Sequence, residues 1–129
     1  MKIKNFKQKF IFKTTTYDFY ESFVDAKKVI ELTQSPATVS RAVKGPFSLK
    51  NGEILGTHID LIHGQKINQA WRMKSWPENY YSETCIKIED SGQWSHIFLK
   101  HTGIPKEDLK KVEQFWNELW NQMRTKWNW

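Results

Sequence analysis

Leu109, Val112, Phe115, Trp116, Leu119, Trp120, Met123 and Trp127 recur at the spacing of one face of an α-helix. Glu107 and Asp108 lie in the first turn of that helix and Arg124 and Lys126 near its end, as the helix macrodipole favours. Burying each large apolar side chain stabilises by roughly 1.5–3 kcal/mol, so a stripe of this size cannot be left in water. A chain of 129 residues is the size of one domain, with a real core but little room for a second one. The rest of the chain must therefore supply one broad apolar surface for a long C-terminal helix to lie across.

Residues 37–102 supply it. Their apolar positions alternate with period two between turn signals. Asn51-Gly52 predicts a two-residue hairpin turn joining Phe47–Lys50 to Glu53–Ile62. His63-Gly64-Gln65 leads into the next strand, and Asp90-Ser91-Gly92 joins Tyr80–Glu89 to Gln93–Thr102. Consecutive hairpins mean an antiparallel meander, because parallel crossovers need intervening helices. Residues 8–14 read as a first strand, with Phe10 and Phe12 on one face, behind a polar lead-in of residues 1–7 that frays. Thr15 with Asp18 forms a capping box for one short helix, and Asp25 caps a second that stops before Ser35-Pro36. The expected fold is α+β: a curved antiparallel sheet of about six strands wrapped on a long C-terminal helix, with two short helices after strand one. This is the helix-grip arrangement, and residues 1–129 form one domain. The space between sheet and helix is a candidate cavity, lined by Phe47, Leu55, Ile59, Trp71, Met73, Trp116 and Trp120.

Chemistry is poorly represented. His58, His63, His96 and His101 present no pair of imidazoles on one strand face at ligand spacing, and no acidic or cysteine cluster accompanies them, so no metal site is expected. Gly45, Gly52, Gly56 and Gly64 read as turn or bulge positions rather than a phosphate loop. The single cysteine, Cys85, permits no internal disulfide and lacks a neighbouring base, which fits a reducing cytosol or nucleus. The inward positions are apolar or aromatic, so neither catalytic residues nor a cofactor is expected. No segment is apolar for long enough to span a bilayer, and a cytoplasmic location is expected.

The net charge of +6 and pI near 9.4 favour acidic partners. The basic residues run along the whole chain rather than beside exposed aromatics, and no nucleic-acid motif appears, which argues against nucleic acid. Lys2, Lys4, Lys7 and Lys9 read either as solvated surface or as an electrostatic docking strip. The stretch Ile67–Pro77 is the best candidate for binding. Ile67, Gln69, Trp71 and Met73 point inward, Arg72 and Lys74 outward, and Ser75-Trp76-Pro77 breaks the strand because proline lacks an amide donor. At that bend Trp76 is either a plug for the cavity mouth or an exposed anchor, since Trp and Arg are enriched at interface hot spots. The candidate partner-binding residues are Arg72, Lys74, Trp76, Pro77 and Glu78. The second reading is a carrier of a lipid or other apolar small molecule. A single-strand nucleic-acid binder is a third.

Several of these residues also carry a resemblance. Gly45-Pro46-Phe47-Ser48-Leu49, Asn51-Gly52, Gly56, Ile67, Trp71-Arg72-Met73-Lys74-Ser75-Trp76-Pro77-Glu78, Gly103-Ile104-Pro105 and Trp116 resemble the C-terminal domain of the activators of the heat shock protein 90 ATPase. The resemblance implies the fold of the START and birch-pollen-allergen superfamily. It also implies a co-chaperone domain that contacts the chaperone's N-terminal ATPase domains and favours their closed, ATPase-active pairing. Arg72 and Lys74 would then meet acidic chaperone surface. In that family another domain precedes this one and binds the chaperone's middle segment. The fold here is expected to begin within ten residues of Met1, without that domain.

Overall fold

In the structure, a computed structural model that describes residues 1–129, the first strand begins earlier than the sequence analysis placed it. Strand β1 runs over Ile3–Phe12 and pairs antiparallel with the last strand from Ile3↔Pro105 to Phe12↔Ser95. The expected frayed lead-in is thus mostly strand. Phe6, Gln8, Phe10 and Phe12 face the core, while Lys7, Lys9 and Ile11 face solvent. The lysines of this segment are the outward half of an alternating pattern, and in a linear reading they mask it.

Helix α1 (Thr16–Val24) starts where Thr15 Oγ1 accepts from the Asp18 amide, and α2 (Ala26–Thr33) where the Asp25 carboxylate accepts from Lys27. Six further strands follow: β2 (Thr38–Val39), β3 (Pro46–Leu49), β4 (Ile54–Ile62), β5 (Lys66–Met73), β6 (Ser82–Ser91) and β7 (Trp94–Pro105). They form one antiparallel sheet of seven strands in the order β1-β7-β6-β5-β4-β3-β2. The added member is the two-residue β2, too short to leave a periodic signal. Leu49↔Ile54 is the last pair between β3 and β4, so Asn51-Gly52 sits in a four-residue loop rather than a two-residue turn. Lys50, Asn51 and Gly52 all adopt positive φ there.

A 3₁₀ turn, Lys106–Asp108, leads into α3 (Leu109–Trp127), which lies across the concave face of the sheet. Val112, Phe115, Trp116, Leu119, Trp120 and Met123 are buried against it, while Leu109 and Trp127 stay half-buried at the ends. The helix-grip expectation is met. Packing is aromatic throughout: Trp116 stacks on Trp120 at 5.6 Å, and Trp120 meets Phe10 at 5.1 Å.

Strand β4 corrects two of the expected lining residues. Ile54, Gly56 and His58 point inward, so Leu55 lies on the outer face opposite Arg72. A bulge between His58 and Asp60 then disrupts the alternation, leaving Ile59 44% exposed. Neither residue lines the interior. Gly56 is likewise no turn: it sits mid-strand between Phe47 and Trp71, where a Cβ would collide with the Ala70 carbonyl and the Phe47 ring.

Candidate functional site

The chain leaves β5 through a tightly held bend. The Lys74 amide donates to the Glu53 carbonyl at 2.8 Å, and the Trp76 amide to the Met73 carbonyl at 3.0 Å. Trp76 is only 5% exposed. Its ring lies 5.8 Å from that of Trp71 and edge-on to Tyr80 at 5.9 Å, and its indole N–H donates to Asp108 Oδ2 at 2.6 Å. Of the two readings the exposed anchor is corrected: Trp76 is buried and plugs the bend against Trp71, Tyr80 and Asp108, although it does not line the interior cavity. Asp108 stands at the N-cap of α3 but makes no cap hydrogen bond to that helix. Its carboxylate accepts the indole instead and ties the bend to the helix.

Arg72 is similarly engaged. Its guanidinium donates to the Trp76 carbonyl at 2.8 Å and the Pro77 carbonyl at 3.3 Å, and lies 5.9 Å over the Tyr81 ring. It is half-buried and acts on the bend from behind. Lys74, Ser75, Pro77 and Glu78 remain exposed. Beside them runs an open groove of about 700 Å³, floored by Ile54, Met73 and Phe115 and edged by Lys50, Lys74 and Lys111 together with Glu53 and Glu118. The bend is thus a hydrogen-bonded rim that sets three lysines and two glutamates around a narrow apolar floor.

The interior offers far less space. Phe47, Trp71, Trp116 and Leu119 line a cavity of about 20 Å³ together with Gln69 and residues of α1 and α2. That is on the order of one water molecule. Met73 lies instead on the floor of the open groove, and Trp120 is in the aromatic core.

Two buried histidines were missed as a pair of structural elements. His101, fully buried, accepts from Trp116 Nε1 at 3.0 Å through Nδ1, so its proton is on Nε2. That N–H meets Ser82 Oγ at 2.8 Å, and Ser82 in turn donates to the Trp71 carbonyl at 2.9 Å. Every donor has an acceptor only while the imidazole is neutral. Burial pushes its pKa down to about 3. His58 faces the Ser40 carbonyl at 2.8 Å and is also shifted down, first by burial, with that carbonyl opposing. Alternation of β7 (Ser95, Ile97, Leu99, His101) was the available signal, since it puts His101 with the apolar set.

Comparison with known proteins bears on the family and the fold. The family model described as Activator of Hsp90 ATPase homolog 1-like protein matches residues 13–126. A Dictyostelium discoideum protein named activator of 90 kDa heat shock protein ATPase homolog is 33% identical over 114 residues, which are 88% of this chain and 30% of that protein. The human activator homolog 1 is 27% identical over 109 residues, 84% of this chain and 32% of its own length. The chain thus spans about a third of the length of these relatives. Among solved structures, an HSP90 activator from Plasmodium falciparum superposes with a TM-score of 0.91 at 23% identity, covering 96% of both chains. A dimeric protein from Colwellia psychrerythraea superposes at 0.79 with 10% identity, over 93% of this chain and 92% of that one. These two likenesses concern the fold. These relatives are named for activating an ATPase rather than for a reaction of their own. With the family model covering nearly the whole chain, this protein belongs to the family of activators of the heat shock protein 90 ATPase.

Proposed function

We propose that this domain is a co-chaperone-like binding domain that associates with heat shock protein 90 through the β5 rim and favours the closed, ATPase-active dimer, without catalysing a reaction itself. The observation that carries the reading is the clamped bend: Trp76 and Asp108 hold it from inside and Arg72 from behind, so Lys74, Pro77 and Glu78 are displayed in one fixed geometry. A preorganised surface loses little entropy on binding. A ligand that binds the closed chaperone better than the open one raises turnover by shifting the population alone. The N-terminal ATPase domains are the partner surface, and a cytoplasmic setting accompanies that partner. No helix is long and apolar enough to cross a membrane. Storage of an apolar ligand is the weaker reading, because the interior has room for on the order of one water.

Titration of the domain into the chaperone, following complex formation and ATP turnover, tests the proposal. The expected result is salt-sensitive binding that Lys74→Glu combined with Lys111→Glu weakens by about tenfold. Absence of binding at low salt refutes it. A co-purifying apolar molecule seen by native mass spectrometry would favour the carrier reading instead.

A further inference from the structure

Cross-strand register gathers on the convex face what the sequence keeps far apart. One row across the sheet reads Lys7, Lys100, Cys85 on β1, β7 and β6. The adjacent row reads Lys9, Phe98, Lys87, Lys66 on β1, β7, β6 and β5. The expectation that basic residues are dispersed away from aromatics does not survive folding. Lys7 stands directly opposite Lys100, and Lys87 directly opposite Lys66. Like charges so placed destabilise a sheet.

Only Lys66 has an acidic partner, Asp60 at 3.4 Å; the molecule's other ion pair is Arg41–Glu21, on a different surface. Lys7, Lys9, Lys87 and Lys100 line a shallow groove of about 560 Å³ in which Glu83 is the one carboxylate. Protection of an exposed edge accounts for lysines on β1. It does not account for Lys87 and Lys100, whose strands lie inside the sheet.

We propose that this convex face is a second docking surface, taking an extended Asp/Glu-rich peptide segment laid across the strands. The inference rests on the reading that the domain binds the chaperone, and assigns the segment to that partner. Four strands at about 4.8 Å spacing give a track of roughly 14 Å, which four or five extended residues cover. Carboxylates on such a segment would neutralise the two repulsive lysine pairs. A nucleic-acid strand fits less well, because single-strand binders stack bases on open aromatic faces. Phe98, the ring within the rows, is roofed by Lys9 Nζ at 5.8 Å.

The test uses the whole domain, a fluorescein-labelled glutamate-rich peptide, and oligothymidylate of matching charge. Anisotropy should show peptide binding that weakens steeply with salt. Lys9→Gln, Lys87→Gln and Lys100→Gln combined should reduce it about tenfold, with the unfolding midpoint retained. The corresponding triple arginine variant should bind like the wild type, and Lys74→Gln with Lys111→Gln at the rim should leave peptide binding unchanged. Chaperone binding without peptide binding, indifferent to the triple glutamine variant, overturns this inference and leaves the proposed function standing. Peptide binding by a domain that forms no chaperone complex supports the surface and overturns the proposed function. Tighter binding of oligothymidylate than of peptide overturns the choice of occupant.

Discussion

The two faces of one sheet obey opposite rules. On the concave face every second residue is locked into an aromatic core through which a hydrogen-bonded chain runs from Trp116 through His101 and Ser82 to the Trp71 carbonyl. On the convex face the intervening residues include two directly opposed lysine pairs, Lys7–Lys100 and Lys87–Lys66, of which only Lys66 is ion-paired. Stability and binding capacity are thus interleaved along the same strands, one residue apart. Substitutions on the concave face should act on folding, and those on the convex face and rim on association.

The sharpest way to break that division is Trp71→Ala. Trp71 is fully buried between the rim plug and α3, so its loss should cost about 4 kcal/mol in urea unfolding. A cost below 1 kcal/mol would mean the core is not the stabilising face. Next in size is an acid effect. His101 stays neutral in the fold down to about pH 3 but takes up a proton near pH 6.5 when unfolded. The unfolded state therefore binds more protons in this window, and stability falls as pH drops below 6.5. The expected loss is about 3 kcal/mol by pH 4. His101→Gln should flatten the profile; an unchanged slope would remove the histidine from the account.

Gly56→Ala should cost about 2 kcal/mol, because the new methyl meets the Ala70 carbonyl and the Phe47 ring. A neutral result would show that Phe47 can swing away. Trp76→Phe keeps a ring in the plug but deletes the N–H donated to Asp108. A loss of about 1–2 kcal/mol is expected from denaturation, together with faster amide exchange at residues 74–78. Equal exchange rates would deny the bend its clamp. Smallest of all, Lys7→Gln relieves the Lys7–Lys100 repulsion and should stabilise by a few tenths, roughly 0.3 kcal/mol. Destabilisation beyond about 0.5 kcal/mol would show that this lysine has a structural role.

Much of the architecture was legible along the chain. The stripe from Leu109 to Trp127 and the alternation of β5 set which faces are buried, since both depend only on local periodicity. The caps at Thr15 and Asp25 were equally local. What escaped depended on partners distant in sequence. Leu55 and Ile59 look as apolar as any lining residue, but pairing with β5 and a bulge put them outside. Trp76 could be read as buried or exposed from its neighbours; Asp108, thirty-two positions on, supplies the acceptor that lets its indole be buried.

Sequence by itself determined that a long amphipathic helix must lie on one face of an antiparallel meander, because burial of apolar area allows no other single-domain solution. Tertiary structure alone decided the rest: that the interior closes to a space of about 20 Å³, that the rim is clamped by Asp108 on one side and Arg72 on the other, and that lysines from four strands converge. Strand register carries that information. It is set by packing and hydrogen bonding between segments far apart in the chain, and no local pattern records it.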